Sequence, residues 1–272
     1  YKQPVVGEGA LVIDLEDGVA PGAKPKAREN MRAALVAREA RRSERIVRIN
    51  AMTSPESSAD LGALPIASVD TVFVPKVESR AEIERLDADL SRCERAHGYE
   101  GHPPIGIIAT IETPRGLWRA LEIADASPRV TALFFGSGDY TLATGASVTE
   151  RALAGPRALV VAAAAAAGIE AIDAAYFLDV KDQSAVAADA RIARELGFKG
   201  KLVFHPSQIA PVNEIMSPSA DEIARARRIR AAFDSAAAEG RGTAVIDGQF
   251  IAIDIALMAD RVLARAAALG LA

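Results

Sequence analysis

Two acidic residues follow apolar segments whose composition predicts buried β-strands. Glu112 ends the run IGIIATI, and Asp139 follows the run VTALFF after a short turn that contains Gly136 and Gly138. Carboxylates from two neighbouring strands can bind a hard divalent cation such as Mg²⁺, which prefers oxygen ligands. The same acids could cap the helices that follow them, so the spacing alone leaves both interpretations open. The two glycines favour the metal, because they allow a ligand to approach the backbone closely.

An arginine lies at the end of another predicted strand, in the segment VRIN. Arg48 alternates there with Val47 and Ile49. If those two side chains pack outward, the guanidinium points toward the same site as the acids. A guanidinium can bind a carboxylate through two parallel hydrogen bonds. The pattern therefore predicts either a grip on a substrate carboxylate or a salt bridge to Asp14 or Glu16.

Other basic residues also lie close to predicted strand ends. Lys76, in VPKVE, could form a Schiff base if its pKa were lowered, but an ion pair with a neighbouring acid is the simpler interpretation. His205, in FHPSQ, is the only histidine at a predicted strand end; it could contact a substrate or cap its own loop. With one such histidine, a histidine-rich transition-metal site is not expected. Lys24, Lys26 and Arg28 could attract substrate phosphates or simply begin a solvated helix.

These residues need a scaffold that brings several strand ends together. Seven apolar segments alternate with helical patterns, namely ALVIDLED, RIVRIN, TVFVPKV, IGIIATIET, VTALFFGSGD, EAIDAAYF and KLVFHP. Such alternation predicts parallel strands joined by right-handed crossovers. We expect an α/β fold, specifically a (β/α)₈ TIM barrel whose first strand lies upstream of Tyr1; an open doubly wound sheet is the alternative. Helices are predicted within residues 22–42, 114–126 and 249–269, among others.

The pattern also predicts how the chain is divided. Residues 1–218 are expected to form the catalytic barrel, entered from a helical tail within YKQPVVGEG. Residues 219–272 are expected to form a C-terminal helical extension that packs on a neighbouring subunit. The apolar residues that recur at helical spacing there, and that we expect to face the neighbour, are Ile251, Ile255, Met258 and Val262.

Composition excludes several classes of function. The 272 residues carry a net charge of −4, so no broad basic surface predicts nucleic-acid binding. The single cysteine, Cys93, cannot form an internal disulfide and is typical of a protein from a reducing compartment. No apolar segment reaches the roughly 18 uncharged residues of a membrane span, and no signal peptide is visible. We therefore expect a cytoplasmic protein with no membrane or nucleic-acid partner.

Six segments that occur in order carry a resemblance to a known family. They are VIDLEDGVAPGAKPKARE, VRIN, VPKVES, IETPRG, FGSGDY and FHPSQI. They closely resemble the citrate lyase beta subunit-like group of the HpcH/HpaI aldolase superfamily, which has malyl-CoA lyases as close relatives. The resemblance extends over nearly the whole chain. It implies a TIM barrel, a Mg²⁺ ion, an acyl-CoA thioester and a homotrimer or a dimer of trimers.

The resemblance also assigns residues, position by position. Glu112 of IETPRG and Asp139 of FGSGDY match the metal ligands, and Arg48 of VRIN matches the arginine that holds the hydroxy-acid or keto-acid part. These three form the predicted catalytic set. The predicted substrate-binding set comprises Arg48, Glu112, Gly138, His205, Pro206, Asp17 and Lys76.

One position departs from the family pattern. Lyases of the family carry an aspartate in a C-terminal stretch resembling G-x-M-I-D, which reaches a neighbouring subunit's site as an acid or base. The matching run here begins at Gly248 and ends at Ala252. Asp254 lies two residues farther on, and Asp247 precedes the run and could reach the site instead. The change puts ordinary lyase chemistry in doubt.

The function expected from these observations is a Mg²⁺-dependent carbon–carbon lyase. Its substrate would be a small 3-hydroxyacyl-CoA such as citryl-CoA or malyl-CoA. The alternatives are a malyl-CoA-type thioesterase, a 2-keto-acid aldolase that does not use CoA, and a ligand-binding homologue that has lost turnover because Ala252 replaces the aspartate. The sequence does not choose among acyl groups.

Overall fold

The computed structural model describes residues 9–37, 43–99 and 101–271. Two compact units make up the chain, and the division lies between Ile209 and Ala210. The domain boundary expected at residue 218, and the packing of the extension on a neighbouring subunit, stay predictions. The helical tail expected before Ala10 falls within residues 1–8, which lie outside the described residues.

The first unit is built on a curled parallel sheet of seven strands. Their spatial order is the order of the sequence, and the described residues contain none of the order reversal that defines a doubly wound sheet. The α/β architecture is therefore confirmed, whereas closure by an eighth strand stays a prediction. The strands are β1 Ala10–Asp14, β2 Glu44–Arg48, β3 Thr71–Val74, β4 Gly106–Ile111, β5 Val130–Phe135, β6 Glu170–Asp173 and β7 Gly200–Lys201.

Helices connect neighbouring strands, as the alternating pattern predicts. The single helix predicted over 114–126 is two short helices, because Arg119 has a non-helical backbone (φ −111°, ψ 13°). The helix predicted over 22–42 begins at Lys24, and residues 38–42 lie outside the described part of the chain. The helices of this unit are α1 Lys24–Val36, α2 Ser57–Ala63, α3 Arg80–Ala96, α4 Pro114–Trp118, α5 Ala120–Ala124, α6 Ser137–Thr144, α7 Glu150–Ala167 and α8 Gln183–Leu196.

One face of the sheet carries a compact apolar cluster that lies beneath the polar strand ends. Its buried members are Ile46, Phe73, Ile108, Ala132, Phe134 and Ala174. Side chains alternate along a strand, so residues two and four positions farther on share the face. Arg48 therefore follows Ile46 on this face, and Glu112 follows Ile108 just beyond the end of β4. The polar groups therefore follow directly after the apolar cluster on the same face of the sheet.

The second unit differs from its prediction at one point. A β-hairpin, formed by β8 (Ala244–Ile246) and β9 (Gln249–Ile251), replaces the start of the helix that was predicted from residue 249. Its turn has positive φ at Asp247 (49°) and Gly248 (78°), the conformation that Asp-Gly favours in two-residue hairpins. The helices are α9 Ile209–Met216, which begins at the last residue of the first unit, α10 Ala220–Ala238 and α11 Ile253–Ala268.

The second unit has its own core, and this corrects one interpretation of its apolar face. Ile251 is fully buried, and Ile255 and Val262 pack against the same cluster, so these residues stabilise the unit itself. Of the four residues expected to face a neighbour, Met258 is 58% exposed. None of the helices in the described ranges is both long enough and apolar enough to cross a membrane.

Candidate metal and substrate site

Lys76 joins the acids that the sequence places at different strand ends. Its backbone N–H donates to Glu112 Oε1 (2.8 Å), and its Nζ lies 2.7 Å from Glu16 Oε1. The same Nζ lies 3.1 Å from Asp17 Oδ2 and 3.5 Å from Asp139 Oδ2. We call these five residues the strand-end cluster. Three carboxylates therefore lie around one ammonium group, and the fourth, that of Glu112, accepts from the backbone N–H of the same lysine. Both predicted metal ligands are among these four acids.

Glu112 is positioned by its strand and by a glycine on the next one. It follows β4 directly and is only 6% exposed. A methyl group added at Gly136 would lie 2.7 Å from Glu112 Cβ and closer still to Oε2, so only glycine leaves room for this carboxylate. The helix after Glu112 is capped by Thr113, whose Oγ1 accepts from the Gly116 N–H at 3.0 Å. The helix-cap alternative therefore does not describe Glu112.

Asp139 lies in the first turn of α6 rather than in an open turn before it. A carboxylate there also complements the partial positive charge of the helix N-terminus. Its negative charge acts on Glu112. Burial, reinforced by the charge of Asp139, raises the pKa of Glu112 to about 8. The two carboxyl groups thus repel each other, an arrangement that a divalent cation would relieve.

Lys76 is held as a cation by the acids around it. Partial burial on its own would lower the pKa of this lysine, but the hydrogen bonds to Glu16 and Asp17 and the charge of Asp139 raise it above its ordinary value. A Schiff-base lysine needs the opposite shift. The geometry therefore supports the ion-pair interpretation.

Arg48 forms salt bridges to both Asp14 and Glu16, which is the alternative to a free substrate-binding role. Its Nε and Nη2 donate to the two oxygens of Asp14 at 2.7 and 2.6 Å, and its Nη1 lies 3.2 Å from Glu16 Oε2. Burial opposes the charge, but the bonds to Asp14 raise the pKa of Arg48. Asp14 also accepts from the backbone N–H groups of Glu16 and Gly18. The guanidinium is thus fixed beside the strand-end cluster, and its Nε–Nη2 edge is occupied by Asp14.

A network of hydrogen bonds that the sequence does not predict lies next to the strand-end cluster. Lys24 Nζ donates to the carbonyls of Leu15 and Glu16 and to Asn50 Oδ1 (2.7 Å). Asn50 in turn donates to the fully buried Asp60. Arg28 pairs with Asp60 and Glu56. Lys26 lies outside this network and pairs with Glu29 at the surface. All three basic residues that could have attracted phosphate are therefore engaged by the protein.

The remaining predicted substrate-binding residues have different surroundings. Nothing lies within 4 Å of a methyl group placed on Gly138, so there is open space beside the first turn of α6. His205 is exposed, and its described bonds are with Ser207 and Gln208 of its own short 3₁₀ turn, Pro206–Gln208. Their contribution to substrate binding stays a prediction.

The donor set fits Mg²⁺ better than a metal that requires a complete protein cage. Among residues 9–37, 43–99 and 101–271, no group of three or more histidine, cysteine or acidic side chains converges as a metal cage. Mg²⁺ is commonly bound by one or two carboxylates and keeps several waters. Glu112 and Asp139 supply two hard oxygen donors, and the missing Cβ of Gly136 leaves the space that Glu112 fills.

Glu16 and Gly136 have roles that the predicted site sets omitted. Glu16 bridges Arg48 and Lys76 through its two oxygens. Glu16 is recognisable in the sequence as one of three acids at the end of β1 and directly after it. Its partners, however, come from β2 and from the residues after β3, which sequence spacing does not relate. The requirement for glycine at 136 is equally a property of the folded sheet.

Comparisons with known proteins match most of the chain. The sequence model of the HpcH/HpaI aldolase/citrate lyase family matches residues 2–206. Citrate lyase subunit beta of Escherichia coli K12 is 35% identical over 259 residues, which cover 94% of this chain and 85% of that protein. A (3S)-malyl-CoA thioesterase of Cereibacter sphaeroides ATCC 17025 is 34% identical over 244 residues, covering 89% and 81% respectively.

A solved structure shows the same similarity in three dimensions. The protein CitE of Mycobacterium tuberculosis, in complex with magnesium, acetoacetate and coenzyme A, superimposes with a TM-score of 0.76 at 33% identity. The match covers 95% of this chain and 90% of that chain. The chain described here therefore belongs to the HpcH/HpaI aldolase/citrate lyase family.

Proposed function

We propose that this protein is a Mg²⁺-dependent carbon–carbon lyase that acts on a small 3-hydroxyacyl-CoA thioester. The observation that carries the proposal is the pairing of Glu112 and Asp139 around Lys76, next to an oriented Arg48. Two kinds of relative support it: a citrate lyase subunit, and a structure that contains magnesium and coenzyme A.

In this proposal Glu112 and Asp139 hold the metal. When bound, Mg²⁺ acts as a Lewis acid on the oxygen of the substrate that becomes a carbonyl. Glu112 must be ionised to serve as a ligand, and Lys76 already donates its backbone N–H to Oε1 and thereby fixes the orientation of the carboxylate. The burial of Glu112 excludes water from one side of the site.

Arg48 binds the carboxylate of the hydroxy-acid part. Asp14 accepts from Nε and Nη2 and thereby fixes the guanidinium, so less side-chain freedom is lost when a substrate carboxylate arrives. The N–H groups of Nη1 and Nη2 that do not bond Asp14 are proposed to bind that carboxylate. The open space beside Gly138 accommodates the substrate next to the metal ligands. Asp17, His205 and Pro206 are proposed to complete the binding surface.

The bond changes of the lyase reaction are balanced without an external oxidant. A base removes the proton of the 3-hydroxyl group, the C–O bond becomes a carbonyl, and the adjacent C–C bond breaks. The electron pair moves to the thioester enolate, which takes up a proton to give the shortened acyl-CoA. The products are an oxo acid, held by Arg48, and an acyl-CoA.

Hydrolysis of the thioester is the second candidate, and one position favours it. Ala252 precedes α11 and offers a methyl group where the family pattern of lyases has an aspartate. A positioned general acid or base typically contributes about 10²–10⁴-fold in rate. Water attack on the thioester carbon, with release of the CoA thiol, would yield the free hydroxy acid. The identity of 34% to a malyl-CoA thioesterase supports this alternative.

Product analysis tests the proposal. The purified protein with Mg²⁺ is incubated with malyl-CoA or citryl-CoA, and the acids and CoA species are separated by chromatography. A lyase forms acetyl-CoA and an oxo acid, whereas a thioesterase forms free CoA and the intact hydroxy acid. Turnover of neither thioester, with Mg²⁺ bound, would contradict both candidates.

A substitution at Ala252 tests whether the missing aspartate limits lyase turnover. Ala252→Asp is expected to raise lyase turnover by about 10²-fold or more if the missing acid or base limits the rate. Asp247→Asn is the companion, because Asp247 precedes the run that ends at Ala252 and could reach the site instead. Fast cleavage by the wild type, unchanged by Ala252→Asp and lost in Asp247→Asn, would show that Asp247 already provides the group.

A further inference from the structure

Lys76 has a backbone conformation that is unusual for a lysine. Its φ is +53°, and the only other non-glycine residue with positive φ in the described ranges is Asp247 in the hairpin turn. Left-handed backbone in a non-glycine residue is uncommon and persists where the surrounding structure overdetermines it. The conformation therefore calls for a cause in the contacts of this residue.

The contacts show what the left-handed turn accomplishes. After β3 ends at Val74, the turn at Lys76 directs its N–H to Glu112 Oε1, and Val77 N–H then returns to the sheet by donating to Thr110 O at 3.2 Å. An extended residue would instead continue the strand. One peptide is thus diverted from the sheet ladder to hold a carboxylate.

The side chain of the same residue reaches the other predicted ligand. Lys76 Nζ lies 3.5 Å from Asp139 Oδ2 and closer to Glu16 and Asp17, while the side chain is 37% exposed. A single residue therefore contacts Glu112 through its backbone and Asp139 through its ammonium group. The ammonium group is thus the cation that lies among the carboxylates of Glu16, Asp17 and Asp139.

We propose that Lys76 is a positioning residue that sets the Mg²⁺ affinity of the site: its backbone N–H orients Glu112, and its ammonium group competes with the metal for Asp139. This inference rests on the proposed metal site. It goes beyond that site because Lys76, which is not a metal ligand, is assigned an effect that opposes Mg²⁺ binding. The competing charge keeps the acids together without metal and weakens metal binding.

The sign of the effect distinguishes this role from simple structural support. Loss of a structural residue would disorder the ligands and weaken Mg²⁺ binding. Loss of the ammonium alone, in Lys76→Met, removes the repulsion between one positive charge and a divalent cation while the backbone N–H remains. At separations near 4 Å that repulsion is large enough, even in a water-like dielectric, to change the affinity by about tenfold.

Isothermal titration calorimetry of the metal-free protein with MgCl₂ provides the test. We expect Lys76→Met to bind Mg²⁺ about tenfold more tightly than the wild type, and Lys76→Arg, which keeps the charge, to return toward wild-type affinity. Lys26→Met is the matched control, because Lys26 is an exposed lysine paired only with Glu29 in the described contacts. The control should leave the affinity unchanged.

Two results would overturn the inference, and a third addresses the metal site itself. Unchanged or weaker Mg²⁺ binding in Lys76→Met would remove the competing role. Equal tightening in Lys26→Met would show a general charge effect instead. Glu112→Gln is measured in parallel: if it binds Mg²⁺ as well as the wild type, the proposed metal site is wrong, whatever Lys76→Met shows.

Discussion

Two ion clusters of the first unit differ in their balance of positive and negative charge. In the strand-end cluster four carboxylates meet one lysine, and Lys76 is 37% exposed. In the second, which we call the balanced cluster, Arg157 and Lys201 meet Asp173 and Asp189 at 2.6–3.0 Å. The side chains of Lys201 and Asp173 are completely buried. In the balanced cluster the two positive charges neutralise the two negative charges. The strand-end cluster has more negative than positive charge.

The difference separates structural from functional use of the same residue types. Buried ions are tolerated when they are paired and hydrogen-bonded. The balanced cluster meets that condition and ties α7 and α8 to the ends of β6 and β7. In the strand-end cluster Glu112 does not meet that condition, because its carboxylate is buried near another negative charge. Burial and the charge of Asp139 raise its pKa to about 8. Excess negative charge in a partly buried place is what a divalent cation neutralises.

Breaking the balanced cluster should have the largest effect on stability. Lys201→Met removes a fully buried ammonium group and leaves the carboxylates of Asp173 and Asp189 with one cation instead of two. Unpairing a buried ion typically costs about 3–5 kcal/mol. We expect urea unfolding to show a loss of that order, with Mg²⁺ affinity of the remaining folded protein unchanged. A loss below about 1 kcal/mol, typical of exposed ion pairs, would contradict this view of the cluster.

The strand-end cluster should instead make the stability of the metal-free protein depend on pH. The folded pKa of Glu112, about 8, lies above its ordinary value of 4.5, so the folded state binds this proton more tightly than the unfolded state. The resulting stabilisation is complete below about pH 4.5 and is lost as the pH rises through about 8. The loss is on the order of a few kcal/mol.

Glu112→Gln isolates this contribution. The variant should be more stable than the wild type at pH 9 without metal, and the difference should shrink toward pH 5. Saturating Mg²⁺ should stabilise the wild type at pH 9, through binding to the folded state, and leave the variant unaffected. Thermal melts at both pH values measure these quantities. A constant difference between the two proteins across the range would show that Glu112 titrates normally.

The sequence predicted much of the scaffold because its signals are local. Apolar segments that alternate with helical patterns specify a parallel sheet in sequential order, and Glu112 and Asp139 could be placed at strand ends from that pattern. The hairpin was missed although Asp247 and Gly248 form a strong local turn signal. Its short strands were assigned to the helical pattern that follows them.

The details of the site depend on distances that no local pattern encodes. The left-handed backbone of Lys76 is stabilised by partners after β1, after β4 and in α6. Arg48 is predicted as either a substrate ligand or an ion pair, and only the fold shows that its Nε and Nη2 donate to Asp14. Residue types indicated the chemistry, and tertiary contacts determine which pairs form.

A smaller loss of stability is expected when the space beside Glu112 is filled than when a charged residue is removed. Gly136→Ala places a methyl group 2.7 Å from Glu112 Cβ. Overpacking of this kind typically costs about 1–3 kcal/mol. Because the displaced atoms belong to a proposed ligand, calorimetry should also show weaker Mg²⁺ binding. Wild-type stability together with wild-type Mg²⁺ affinity would show that Glu112 can move away without consequence.

Gly138→Ala is the matched substitution two residues away, and we expect it to raise the stability of the protein slightly instead of lowering it. Nothing lies within 4 Å of the added methyl group, and Gly138 lies within α6 with ordinary helical backbone. Alanine in a helix is favoured over glycine by about 0.5–1 kcal/mol, so the protein should become slightly more stable and bind Mg²⁺ as before. The methyl group nevertheless enters the space assigned to the substrate. We therefore expect KM for the thioester to rise while the metal affinity stays constant, and an unchanged KM would remove Gly138 from the substrate-binding set.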